Sequence, residues 1–211
     1  LFLSACGGGS SSGGGSISIG GNVIKGPLSN ALVGLDTNAN GVVDGTTVRT
    51  GSDGSYSLST TSTTYTVIAV TDQTTVDTSS GAVLPGVMLK APKGATVVTP
   101  TTTLMEEGSL SADQVAEVLG LPAGVDPLSF NPFNVDENNP AEVAKALAVE
   151  KVSQQVMSVV TAFASAAEGA GASEAAAFSA ALNSVVEVVK TKAAKLMDAT
   201  ASDADISLDL T

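Results

Sequence analysis

Histidine is wholly absent from the 211 residues, tryptophan is absent, cysteine occurs once, and only 3% of the chain is aromatic. Each absence excludes something. Without histidine the chain lacks the usual general base and the commonest zinc ligand. A single cysteine forbids an internal disulfide. With so few aromatics the core has to be built from Ala, Val, Leu and Ile, which gain about 25 cal/mol per Å² of buried apolar surface. Such a core leaves room for an added staple, a metal or a partner surface. Basic residues are also scarce: 9 against 21 acidic ones, a net charge of -12. They are scattered, so nucleic acid is excluded as a partner, because phosphate neutralisation needs a basic face. An acidic surface instead concentrates cations such as Ca2+.

What is present begins with Leu1-Phe2-Leu3-Ser4-Ala5-Cys6, read as the end of an apolar signal segment in a fragment of a longer chain. Residues 7–15 are GGGSSSGGG, a flexible tether whose nine residues cover about 15–18 Å. This tether contains a formal G-x-S-x-G match at Gly9 to Gly13, which carries no chemistry because no strand precedes it and no histidine could activate the serine. Leu3-Ser4-Ala5-Cys6 resembles the bacterial lipobox. That resemblance implies lipidation at Cys6, a membrane partner reached through the lipid anchor, and, with Gly7 rather than Asp after the cysteine, the outer membrane. Anchor and tether together hold a folded part clear of lipid.

From Ser16 to about residue 104, short β-type runs alternate with turn clusters. Strands are expected over Ile17 to Ile24, Ala31 to Leu35, Thr47 to Thr50, Tyr56 to Leu58, Tyr65 to Thr71, Val83 to Leu89 and Thr96 to Val98. Between the second and third lies Asp36-Thr37-Asn38-Ala39-Asn40-Gly41-Val42-Val43-Asp44. Oxygen-bearing side chains fall at positions 1, 3, 5 and 9, with Gly at 6 for the sharp turn and the carbonyl of Val42 at 7. This is the spacing of an EF-hand calcium loop, with Thr47 in place of the bidentate Glu at position 12. Candidate ligands are therefore Asp36, Asn38, Asn40, the Val42 carbonyl and Asp44, in a weak site of the extracellular class; a plain hairpin loop is the competing reading, since Asp, Asn and Gly also form turns. Asp53 is either a further ligand or the turn before the next strand.

Taken with Gly26-Pro27-Leu28-Ser29-Asn30-Ala31-Leu32-Val33 and Thr50-Gly51-Ser52-Asp53-Gly54-Ser55-Tyr56-Ser57-Leu58, the loop resembles the prealbumin-like repeats of bacterial surface proteins. These include the B-type repeats of adhesins and carboxypeptidase regulatory-like domains. The resemblance covers residues 18–72 and implies a seven-stranded sandwich used as a stalk, stiffened by calcium. The Lys to Asn crosslink of some relatives is not carried over: Lys25 is the only lysine in the first 89 residues, and no Glu precedes Glu106.

Near residue 105 the composition switches to Ala, Glu, Lys and Val. Ser111-Ala112-Asp113-Gln114 is a capping box opening a short helix to about Leu119, and Asn139-Pro140-Ala141-Glu142 opens a second, to about Ala167. Ser173 caps a third, to about Met197. Val143, Leu147, Val152, Val156, Val159, Val160 and Phe163 form the expected core stripe of the second, and Phe178, Leu182, Val185, Val186, Val189 and Leu196 that of the third. Charged and amide residues interrupt both, so neither is a membrane span. Phe130 and Phe133 are expected to plug the seam between the halves. Asp203, Asp205 and Asp209 alternate with Ile206, Leu208 and Leu210, as in a strand or the start of a further element over 201–211. Glycosidase chemistry would need two carboxyls across a cleft with stacking aromatics, which the chain hardly has.

The expected architecture is thus α+β: an N-terminal seven-stranded antiparallel β-sandwich over 16–104, a short helix and linker over 105–138, and an α-helical hairpin over 139–200. The expected function is mechanical rather than enzymatic, as a calcium-stabilised stalk, display or adhesion module with a protein or cell-surface partner. A filament or surface-layer subunit, or an envelope ligand-binding protein, is the alternative.

Overall fold

The computed structural model describes residues 15–197 together with Ser202, Ile206 and Leu208. The fold is α+β, with ten strands in three small sheets and four α-helices. The strands are β1 (Ile17–Val23), β2 (Leu28–Ser29), β3 (Leu32–Asp36), β4 (Asp44–Arg49), β5 (Ser55–Thr60), β6 (Thr66–Val70), β7 (Val76–Asp77), β8 (Ala82–Val83), β9 (Met88–Pro92) and β10 (Val97–Val98). One sheet runs β10-β1-β5, a second β4-β3-β6-β9, and a third β2-β7-β8.

Period-two alternation explains the longer strands. In β5, Tyr56 and Leu58 point inward while Ser55, Ser57 and Ser59 face out. Ile19 and Val23 of β1 do the same opposite it. In the four-stranded sheet Val33, Leu35, Val67, Ala69, Leu89 and Ala91 are buried, and all of these join one continuous apolar cluster that also takes in the helices.

The expectation of seven antiparallel strands needs correction. Seven strands do lie in the two larger sheets, but β1 pairs with β10 in parallel, and three two-residue strands form a sheet of their own. Those strands are too short to show a period, which is why the pattern missed them. The strand expected over Val83 to Leu89 also shifts, to β9 at Met88–Pro92.

The helices are α1 (Pro100–Gly108), α2 (Ala112–Val118), α3 (Pro140–Gly169) and α4 (Glu174–Ala194), the last continued by a 3-10 turn, Lys195–Met197. The caps at Ser111, Asn139 and Ser173 stand where the sequence puts them. Helix α1, by contrast, occupies a Thr-rich stretch of poor helix propensity. It forms because Thr99 caps it in a reciprocal box with Thr102 and Pro100 presets its first φ. It crosses the composition switch at residue 105 and lies along β9. There the Lys90 N–H donates to Thr103 Oγ1 at 2.9 Å, and Thr102 Oγ1 lies 2.8 Å from the Lys90 carbonyl.

Helices α3 and α4 pack on each other, and α4 also packs on α1 and α2. The stripe of α4 is as expected through Val189. That of α3 is rotated: Ala146, Val149, Ser153, Val156, Met157, Val160 and Ala164 are buried, whereas Leu147 and Phe163 are 62% and 57% exposed. Small residues let α3 approach its neighbours closely, and this outweighs the burial of two larger side chains. Phe130 lines the seam with Ile24, Leu121, Val125 and Val149, but Phe133 is 39% exposed and fills nothing there. The described part of the tail is no strand: Ile206 lies in a helical turn, and the Leu208 N–H donates to the Val118 carbonyl. No helix among the described residues is long and apolar enough to cross a membrane.

Two substitutions test this packing. Thr103→Val keeps the side-chain shape but leaves the half-buried Lys90 N–H without its partner, and should cost about 1–3 kcal/mol in urea unfolding. Tyr56 Oη is buried with no hydrogen-bond partner among the described residues, and burial, with the nearby Tyr65, pushes its pKa up to about 12. Tyr56→Phe should therefore leave the urea midpoint unchanged or raise it.

Candidate functional site

The loop between β3 and β4 is held at both ends by a carboxylate. Asp36 is the last residue of β3 and Asp44 the first of β4, and the strands pair at Leu35 and Asp44 beyond a register shift. The Asp36 carboxylate accepts from the N–H groups of Asn38 (3.1 Å), Asn40 (3.3 Å) and Gly41 (2.7 Å). Asn38 Oδ1 accepts from the Asn40 N–H and Asn40 Oδ1 from the Val42 N–H. From the far end, Asp44 Oδ2 accepts from the Thr37 N–H (2.8 Å) and hydroxyl, and Asp44 Oδ1 from the Asn38 amide (2.9 Å). Two backbone positions make the curve possible, Ala39 at φ 59° and Gly41 at φ 79°.

Of the five candidate ligands, Asp36, Asn38, Asn40 and Asp44 are drawn together by this network, while the Val42 side chain is 62% exposed and only its backbone belongs to the loop. Asp53 stands apart, accepting from the Ser55 N–H in the turn before β5. Thr37, which ties Asp44 into the loop, has no place in the ligand spacing, and a side chain two positions inside an Asp-rich turn was the only signal for it.

Asp36 is only 4% exposed. Burial alone would raise its pKa, but the N–H groups of Gly41, Asn38, Asn40 and Ala39 stabilise the anion more and hold it below the usual carboxylate value. The loop thus keeps a buried, charged carboxylate: Oδ1 accepts two N–H groups and Oδ2 one, which leaves Oδ2 a lone pair for a further partner. The donor set is all oxygen, the chemistry of Ca2+ rather than zinc. Asp36, Asn38, Asn40, Asp44 and the Val42 carbonyl would hold the ion. The set has two carboxylates, and among the described residues no group of three or more His, Cys, Asp or Glu could hold a metal. That donor count belongs to weak calcium sites.

Cys6, the lipidation candidate, lies outside the described residues. A second feature was invisible in the sequence: Lys25, just after β1, pairs with Asp77 of β7 at 2.9 Å. They are 52 residues apart and carry no shared motif. Asp77 also accepts from the Ser79 N–H and hydroxyl and from the Ser80 N–H. Burial would raise its pKa, but these bonds and Lys25 hold it low. The pair floors an open cleft of ≈ 640 Å³ between the third sheet and α3, lined also by Gln154, Ser158 and Thr161. With its carboxylate engaged by four donors, Asp77 is a structural tie joining the end of β1 to β7.

Because Asp36, Asp77 and Asp72 (held at about 2, chiefly by Thr74 and Arg49) titrate lower folded than unfolded, their contribution is complete above the unfolded value near 4 and is lost as pH falls through the folded values. Thermal unfolding followed by circular dichroism should show a midpoint that is flat above about pH 5 and falls from about pH 4 toward 2. Asp36→Asn, which points an amide at N–H donors, should lose about 1–3 kcal/mol at pH 7. Its deficit should shrink as acid protonates the wild-type carboxylate. Compared with protein-family models, with curated proteins and with solved structures, the chain matches none.

Proposed function

We propose that this chain is a membrane-anchored bacterial surface lipoprotein acting as a calcium-stabilised stalk, display or adhesion module. The observation that carries the reading is the Asp36 to Asp44 loop. Its two carboxylates sit at the facing ends of paired strands, already oriented by N–H donors, so an ion bound there would join β3 to β4. Support for the anchor comes from Leu3-Ser4-Ala5-Cys6 and the glycine-serine run behind it. In this reading the sheets β10-β1-β5 and β4-β3-β6-β9 are the two layers of a seven-stranded prealbumin-like sandwich, and α3 with α4 is a helical hairpin carried on it. The work of such a module is to hold a surface away from lipid, with no chemical step.

An ion that binds only the folded chain raises stability by RT ln(1 + [L]/Kd), about 1.4 kcal/mol at tenfold over Kd. Thermal melts should therefore show a midpoint that climbs with millimolar CaCl2 and does not climb in Asp36→Ala or Asp44→Ala. A wild-type midpoint indifferent to calcium would sink the calcium part. For the anchor, bacterial cells expressing the chain behind a lipoprotein signal peptide that runs into Leu3-Ser4-Ala5-Cys6 should incorporate labelled palmitate and keep the protein in the membrane fraction. Cys6→Ser should abolish both, and equal labelling of the variant would refute lipidation at Cys6.

A second reading, as a subunit of a filament or surface layer, is favoured by β4. It is an edge strand whose residues 45–47 are exposed, so its outer hydrogen-bonding groups are open to a neighbouring chain. Concentration-dependent sedimentation would favour it over the stalk.

A further inference from the structure

Lys90 lies beside the loop, far from it in sequence. Gly34, Ile68 and Lys90 are in register across β3, β6 and β9, so their side-chain positions share one face of the sheet. At Gly34 a Cβ would collide with Val43, so its absence lets the loop fold down onto that face. Gly41 is thereby brought to Lys90, whose Nζ is 3.7 Å from where a Cβ on Gly41 would stand. The ammonium cannot easily leave. Its side chain is 14% exposed, it pairs with Glu107 of α1 at 2.7 Å, and its backbone is held by Thr102 and Thr103.

We propose that the Lys90–Glu107 pair sets the affinity of the Asp36 to Asp44 loop for calcium, Lys90 lowering it and Glu107 restoring it. This rests on the calcium reading of the loop. A dication entering the loop meets a fixed positive charge beside Gly41, the residue whose N–H binds Asp36. The pair is partly buried, so solvent and salt screen it less than they would on the surface. Glu107 compensates by neutralising the ammonium and holding it on the α1 side. The loop is thus tuned by two side chains that are not ligands, Lys90 of β9 and Glu107 of α1.

The test is calorimetric titration of CaCl2 into the purified chain, wild type against variants whose folding is checked by circular dichroism. Lys90→Met should tighten binding about fivefold or more, and Glu107→Gln should weaken it by a similar factor. Lys90→Arg, which keeps the charge, and the double variant Lys90→Met/Glu107→Gln, which keeps the net charge of the pair, should both stay within about twofold of wild type. Opposite signs for the two single variants separate this from a merely structural tie between β9 and α1, whose loss would weaken binding in both. Equal affinity in wild type and Lys90→Met overturns the tuning and leaves the calcium loop standing. Binding seen in Lys90→Met alone supports the tuning in its strongest form. Absence of binding in both overturns the calcium reading, and the tuning with it.

Discussion

The hydroxyls of Thr102 and Thr103 along β9 are the contact on which the rest of the molecule depends. An edge strand presents unpaired N–H and C=O groups, and here both groups of Lys90 are taken up by the first turn of α1. The same two threonines serve the helix itself: Thr102 Oγ1 accepts from the Thr99 N–H, and the Thr103 hydroxyl donates to the Thr99 carbonyl. One short sequence therefore ends the sheet, starts the helix and joins the two. Because α1 is fixed there, Leu104 and Met105 enter the apolar cluster, and α4 has a surface to pack against. It is a main junction through which the β and α halves share one core.

That core is made almost wholly of small aliphatic side chains, and this dictates its geometry. Buried Ala146, Ser153 and Ala164 let α3 come close, at the cost of leaving Leu147 and Phe163 outside. Close approach recovers dispersion contacts that a core poor in aromatics would otherwise lack. Where packing gains little per residue, polar ties matter more. The Lys25–Asp77 pair fastens the end of β1 to the third sheet, and Arg49 pairs with Asp72 on the loop before it. The carboxylates of Asp36, Asp72 and Asp77 are held below the usual range by N–H and O–H donors, so a strongly acidic chain spends part of its negative charge on its own architecture.

The loop, the helix N-caps at Ser111, Asn139 and Ser173, and the larger strands could be read from the sequence, because each is written in local order: a period, a cap or a turn within about ten residues. The core face of α4 followed from its 3.6-residue repeat, while that of α3 did not, since Ala is ambiguous in any hydrophobic pattern and only the neighbouring surface decides whether it is buried. The Thr-rich start of α1 reads locally as β, and its true state depends on β9. The third sheet has strands too short for periodicity.

By itself, then, the sequence determined the α+β composition, the spacing of Asp36, Asn38, Asn40 and Asp44, and where most helices begin, because backbone geometry and local hydrogen bonding impose these residue by residue. Only the tertiary structure decided that Lys25 meets Asp77, that α1 closes the edge of β9, and that Lys90 stands over Gly41 with Glu107 behind it. These contacts join residues 12 to 52 positions apart in the chain. They form because sheet register and helix packing bring distant backbones together, and no local pattern encodes that meeting.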